Sequence, residues 1–322
     1  MNDITYKKFT ASSPGKFILM GEHAVVYGKP AVALAINKRL TCTIGKSAEL
    51  TLNGSRIALD SNSYVSSILS ANNLATASIT IKSELIPGSG LGSSGALCTS
   101  LLTSIKSMFG KSYNKKDIAS EAFEAEYKVQ GRASPTDTSC CTFGNGIAVN
   151  CPKNLGKYLW TASKNGNTWD IFDISIPKMT FVIGYTGVES LTASLVDKVR
   201  KYREQNSFAE NLIDEIGNIT MDGIRALSKN DLEHLGRLMT QNHNLLSALG
   251  VSCRELDKLV DASLVHSYGA KLTGSGGGGS MIALTDESSK VCQIINLHGG
   301  IPLVVSTSVE GIRIESGNPI PN

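Results

Sequence analysis

The chain has 322 residues, 41% hydrophobic and 18% charged, which excludes a disordered or fibrous polymer and allows two lobes, since single cores seldom grow past about 250 to 300 residues. A formal net charge of +3 without a Lys/Arg cluster gives no support for nucleic-acid binding, and no run approaches the ~20 apolar residues that span a bilayer. The seven cysteines contain no C-x-x-C pair, and MNDITYKKFTASSP has no apolar signal core, so reduced cysteines and a cytoplasmic protein are expected.

In chain order, residues 9–36 read as strand, glycine turn and strand, and 38–60 as hairpin strands around Asn53-Gly54. Tyr64–Asn72 reads as a helix, Ser78–Leu85 as a strand, Ala96–Phe109 and Lys115–Val129 as helices, and 140–176 as short strands after the break at GRASPTD. From Pro177 the texture changes: the strand MTFVIGYTG precedes helical patterns at Leu191–Gln205, Phe208–Leu227, Asp231–Leu246 and Arg254–His266. Strands in KLTGSGGGGSMIALT and IPLVVSTSVEGIRIE flank a short helix near Ser289–Leu297 and end the chain. The expectation is an α+β protein, with a strand-rich lobe over 1–176 and a helix-rich lobe with its own small sheet over 177–322.

Gly90–Gly95 reads GLGSSG, which fits G-x-G-x-x-G between a strand and a helix. A dinucleotide turn needs an acidic residue ~20 positions on, at the end of a second parallel strand, and that place falls inside or just after a helix. No G-x-x-x-x-G-K-[ST] loop occurs. Two readings of PGSGLGSSG remain: a triphosphate cradle whose serine reaches a metal ion, or an ordinary turn with Ser94 as the helix N-cap. A second loop, Gly274–Gly279, also fits the pattern but leads into a strand. Its four consecutive glycines need close approach to a ligand or another backbone, or else form a mobile surface loop.

On the helix 115–129, at 100° per residue, Ile118, Ala119, Ala122, Phe123 and Val129 form one arc of about 140°. Glu126 falls inside that arc, whereas Glu121 and Glu124 fall outside it. A carboxylate facing a core must be paired, protonated or bound to a cation, so a buried ion pair and metal ligation both stay open. Asp137, in ASPTDTS, has the ordinary reading of a turn-former, and Lys16, before FILM, that of a solvated gatekeeper.

Together these residues resemble the GHMP kinase superfamily and, within it, the mevalonate kinase family. The motifs PGKFILMGEHAVVYG (Pro14–Gly28), PGSGLGSSGA (Pro87–Ala96) and KLTGSGGGGS (Lys271–Ser280) stand in family order. The E-x10-D spacing of Glu126 and Asp137 matches, as does NHNLLSALGVSCRELDKL, Asn242–Leu259. The resemblance implies a ribosomal protein S5 domain 2-like N-terminal lobe, a ferredoxin-like C-terminal lobe and a site between them. It implies ATP- and Mg²⁺-dependent phosphorylation of the 5-hydroxyl of (R)-mevalonate, in isoprenoid precursor synthesis. By the same resemblance Pro87, Gly88, Ser89, Gly90, Leu91, Gly92, Ser93, Ser94 and Gly95 bind ATP, and Ser94 and Glu126 hold Mg²⁺. Asp137 accepts the substrate proton with Lys16 beside it, and Glu22, His23, Thr192, Gly274 and Ser275 complete the substrate site. A homodimer is implied by family analogy.

Two departures stand out. Ala-Ser-Pro-Thr precedes Asp137 where many members carry Pro-Ser-Gly plus one residue, a form that resembles archaeal members, and Gly187–Ser190 lacks a basic residue found in some relatives. Decarboxylase-like members usually lack the PGK lysine and the GEHAVV string, galactokinases carry an acid shortly after Glu-His, and non-catalytic relatives usually lose the Lys or the Asp. This chain keeps Lys16 and Asp137 and has Ala24-Val25-Val26. Phosphomevalonate kinase and mevalonate 3-kinase are the nearest alternatives within the superfamily.

Overall fold

A computed structural model describes residues 7–59, 63–131, 133–190 and 192–316, without the side chains of 192 and 193. The first part of the chain forms β1 (Lys8–Met20), β2 (Ala31–Gly45), β3 (Leu50–Leu52), β4 (Ser55–Arg56), α1 (Tyr64–Ala71), β5 (Ala77–Ser83), α2 (Ser93–Met108), α3 (Lys115–Gln130), α4 (Thr136–Phe143), β6 (Gly146–Val149), β7 (Lys157–Lys164) and β8 (Asn167–Ile174). Then come β9 (Thr180–Tyr185), α5 (Thr192–Gln205), α6 (Ser207–Ser228), α7 (Leu232–Ala248), α8 (Arg254–Ser263), β10 (Gly269–Thr273), β11 (Ser280–Leu284), α9 (Ser288–Leu297), β12 (Ile301–Ser306) and β13 (Arg313–Ser316).

The first sheet runs β4-β3-β5-β2-β6-β8-β7. The long β2 pairs with β1 along one side, while its other side takes β6 at Ala31–Leu34 and β5 at Leu40–Gly45. The second sheet is antiparallel throughout, in the order β10-β11-β9-β12. Strand β13 returns to pair with β1, so the last strand belongs to the first sheet although it lies in the second half of the sequence.

Helix α2 packs on β1 and β2 through its buried face, with α1, α3 and α4 around it. Helix α3 is set at both ends: Asn114 and Asp117 form a reciprocal capping box, and Gly131 closes it in the left-handed conformation. The two sheets share one apolar core, with the rings of Phe17 (β1) and Phe181 (β9) 4.7 Å apart between Leu19, Met20, Ile183, Ile219 and Leu235. A shared core of this kind sets where β1 can sit relative to the second sheet.

One segment differs from the sequence reading. Residues 140–143, expected to open a run of strands, finish helix α4, and the strand begins only at Gly146. Pro135 precedes the helix with φ −73°, close to the value its ring imposes, and Thr138, Thr142, Cys140 and Cys141 are all buried. The described cysteines form no disulfide, and five of the seven are buried, consistent with small apolar fillers.

Candidate active site

The site assembles where β1, the start of α2 and the start of α4 meet. Lys16 lies within β1 and is 3% exposed, which removes the solvated reading. Its N–H donates to the Leu91 carbonyl at 3.0 Å, and Nζ donates to the Gly90 carbonyl at 3.4 Å. The ammonium also lies 2.9 Å from Oδ2 of Asp137, whose side chain is 29% exposed. Burial alone would lower the pKa of Lys16, but the charge and hydrogen bond of Asp137 together outweigh it, and the net effect is a rise above the ordinary lysine value. Asp137 occupies the first turn of α4, where a helix favours negative charge, so it is more than a turn-former.

The glycine loop brings its backbone to this pair. Gly88, Gly90 and Gly92 all have positive φ, at 71°, 79° and 73°, and a Cβ on Gly92 would lie 2.8 Å from Lys16 Cγ. Gly92 is itself the N-cap of α2, so Ser94 is the second helical residue and the N-cap reading fails. The first-turn N–H groups of Ser93, Ser94 and Gly95 have no acceptor within their own helix, which suits an anion. Ser89 and Leu91 are buried, with the Ser89 hydroxyl donating to Ile86 O at 2.6 Å, so these two offer a ligand only their backbones. A Cβ on Gly95 would lie 3.3 Å from Asp137 C and Cys141 Sγ, so a small residue there lets α2 and α4 approach closely.

Glu126 lies on the buried face of α3, 2% exposed, as its place in the apolar arc requires. Glu121 and Glu124 instead pair with Lys106 and Lys164. Oε1 of Glu126 is buried without a hydrogen-bond partner, which excludes the ion-pair reading among the described side chains. Burial first, and then the negative charge of Asp137, raise its pKa to about 8, against the Ser94 hydroxyl and Lys16, which favour the charged form. An orphaned carboxylate oxygen beside a hydroxyl is the donor set a hard cation takes. Among the described residues no group of three or more His, Cys, Asp and Glu could hold a metal, so an ion at Ser94 and Glu126 would need the rest of its ligands from elsewhere.

The third glycine loop closes the site from the second sheet. The Gly277 N–H donates to Val251 O at 2.8 Å and that of Gly279 to Val188 O at 2.7 Å. A Cβ on Gly276 would collide with Val251 O. Close approach to other backbone therefore explains these glycines, whereas Gly274 faces open space. A Cβ on Gly279 would lie 3.7 Å from Ser89 O, and one on Gly88 3.4 Å from Glu189 Cγ, so the two glycine loops and 187–190 converge. The Ser275 carbonyl meets His23 Nε2 at 2.9 Å, and its hydroxyl meets Ser190 Oγ at 2.7 Å.

Glu22 departs from the expectation of a substrate-lining carboxylate. It is 1% exposed, pairs with the fully buried Lys271, and accepts from Asn242 Nδ2 at 3.1 Å. Thr192 begins α5, and its side chain lies outside the described residues. Sequence reasoning missed Lys271 as the partner of Glu22, although it opens the third motif. It also missed Tyr64, whose hydroxyl accepts from Gln130 Nε2 at 3.0 Å and which no motif signals.

The family models described as GHMP kinases N terminal domain and GHMP kinases C terminal match residues 62–145 and 224–296. The mevalonate kinase of Thermococcus sibiricus is 33% identical over 95% of this chain and 98% of its own length. That of Methanothermobacter thermautotrophicus is 33% identical over 86% of this chain and 90% of its own. Among solved structures, the mevalonate kinase of Methanococcus jannaschii superposes with a TM-score of 0.77 at 26% identity, over 95% of this chain and all of that one.

Proposed function

We propose a function for this chain, which belongs to the GHMP kinase family and within it to the mevalonate kinases: it uses ATP, with Mg²⁺, to phosphorylate the 5-hydroxyl of mevalonate. The observation that carries the reaction is the Lys16–Asp137 pair, 2.9 Å apart beside the start of α2. A carboxylate held beside a buried ammonium is placed to accept the hydroxyl proton. The hydroxyl oxygen bonds to the γ-phosphorus, the bond to the bridging β–γ oxygen breaks, and ADP leaves. Lys16 then offsets negative charge on the transferring group, at the cradle formed by Gly88–Gly95.

Ser94 and Glu126 are the residues that would hold Mg²⁺, which when bound neutralises phosphate charge. Support for this is the partnerless Oε1 of Glu126 in a site where burial disfavours its charge. His23, Ser275 and Gly274 would line the mevalonate side, with Thr192 at the start of α5. No described helix is long and apolar enough to cross a membrane, and the reading extends, by family analogy, to a cytoplasmic homodimer.

A coupled ADP-release assay across mevalonate, phosphomevalonate, galactose and homoserine tests the substrate. Strong turnover on mevalonate alone is expected; preference for any other acceptor overturns the assignment.

A further inference from the structure

We propose that the buried Glu22–Lys271 pair is a positioning device that holds the third glycine loop in register with Lys16. The inference rests on the kinase reading above. Glu22 lies in the turn just after β1, and Lys271 is the middle residue of β10 in the other sheet. Their side chains are 1% and 0% exposed, and the polar atoms of the pair are taken up: Glu22 by Lys271 and Asn242, Lys271 also by the Leu272 carbonyl. The contact is thus sealed from water and from substrate.

From Lys271 the chain continues straight into the glycine loop, and alternate residues keep touching the first motif. The Thr273 hydroxyl accepts from Ile18 N at 3.0 Å and donates to Ile18 O at 2.8 Å, and the Ser275 carbonyl meets His23 Nε2 at 2.9 Å. Ile18 is two residues beyond Lys16 on β1. Residues 271, 273 and 275 are therefore stitched to 22, 18 and 23, and the whole row is fixed relative to the Lys16–Asp137 pair. Behind Lys271, His243 Nδ1 accepts from Leu272 N at 3.3 Å, and Val251 O takes the Gly277 N–H.

A buried ion pair is weak evidence for stability, because two apolar side chains of similar volume often do as well. What the pair supplies is register. A charge removed from water must meet its partner at one distance, whereas apolar side chains can slide against each other at little cost. Glu22 and Lys271 are positioning residues, acting on the reaction through Lys16 and the glycine loop.

The test compares the wild type with Glu22→Gln, Lys271→Met and the double variant Glu22→Gln/Lys271→Met. The readouts are thermal melting, kcat and KM for both substrates, and hydrogen exchange of the peptide spanning 272–280. The double variant is expected to melt within a few degrees of wild type while kcat falls about tenfold or more and loop amides exchange about tenfold faster, with nucleotide affinity little changed. A double variant with wild-type kcat and exchange overturns the proposal, leaving the pair merely structural. Should it fail to fold, Glu22→Asp, which keeps the charge and shortens the arm, carries the same test: reduced kcat and faster loop exchange support positioning, and unchanged values overturn it. Failure of the wild type on mevalonate would sink the kinase reading alone, because loop exchange reports on positioning without turnover.

Discussion

Gly92 leaves no room for a side chain beside Lys16: a Cβ on it would lie 2.8 Å from Lys16 Cγ and 2.9 Å from Cε, at a φ of +73°. The residue that caps α2 is thus also the wall against which the lysine stem lies. Gly92→Ala is expected to cost about 1–2 kcal/mol in left-handed backbone strain and to push Nζ away from Asp137. A fall in kcat of about tenfold or more should accompany the lower melting temperature. Wild-type kcat in a destabilised variant would show that the lysine tolerates displacement.

Glu126→Gln separates the cation reading from a purely structural one. With its pKa raised to about 8 by burial and by Asp137, the folded protein holds a proton on Glu126 that the unfolded chain has lost above about pH 4.5. Without nucleotide or Mg²⁺, this residue's contribution to stability therefore falls as pH rises from about 4.5 to 8, and the glutamine variant lacks that slope. The variant should also need a higher Mg²⁺ concentration for half-maximal turnover. Melting curves across pH and a Mg²⁺ titration check both; an unchanged titration would remove Glu126 from metal binding.

His243 supplies a second pH signature. Burial, first, and the nearby Lys271 lower its pKa, more than the Asp257 carboxylate at 3.3 Å raises it. Its Nδ1 accepts from Leu272 N, which also requires that nitrogen to be unprotonated. The unfolded chain therefore binds a proton near pH 6.5 that the folded protein refuses, so stability falls as pH drops below that value. His243→Gln cannot take up this proton. The stability gap between wild type and variant should narrow from pH 7 to 5, by at most about 1.4 kcal/mol per unit. A gap independent of pH would contradict the assignment.

Much of the site is legible in the sequence because it rests on local pattern. The apolar arc of α3 marks Glu126 and sets aside Glu121 and Glu124, and the strand, glycine turn and helix mark the loop Gly88–Gly95 as one of two readings, a phosphate cradle or an ordinary turn. Lys16 and Asp137 were legible only through their motifs, since a lysine before a strand and an aspartate in a turn are ordinary. What remained hidden depends on distant contacts. TDTSCCTF has no clear apolar period and is rich in residues that suit strands, so residues 140–143 read as strand, whereas they finish α4 through buried packing on α2 and β1. A lysine in a strand is normally solvated, so nothing local showed that Lys271 would be fully buried against Glu22. The return of β13 to β1 is likewise a pairing between the two ends of the chain, with no local signal to announce it.

Asp137, held by Lys16, is the group proposed to take the proton of the attacking hydroxyl. Asp137→Asn keeps the size of the side chain and removes its charge, so single-turnover kinetics together with nucleotide binding isolate that role. Phosphoryl transfer to mevalonate is expected to slow by about a thousandfold or more while ATP affinity stays within a few-fold of wild type. Transfer at a nearly normal rate in that variant would contradict it.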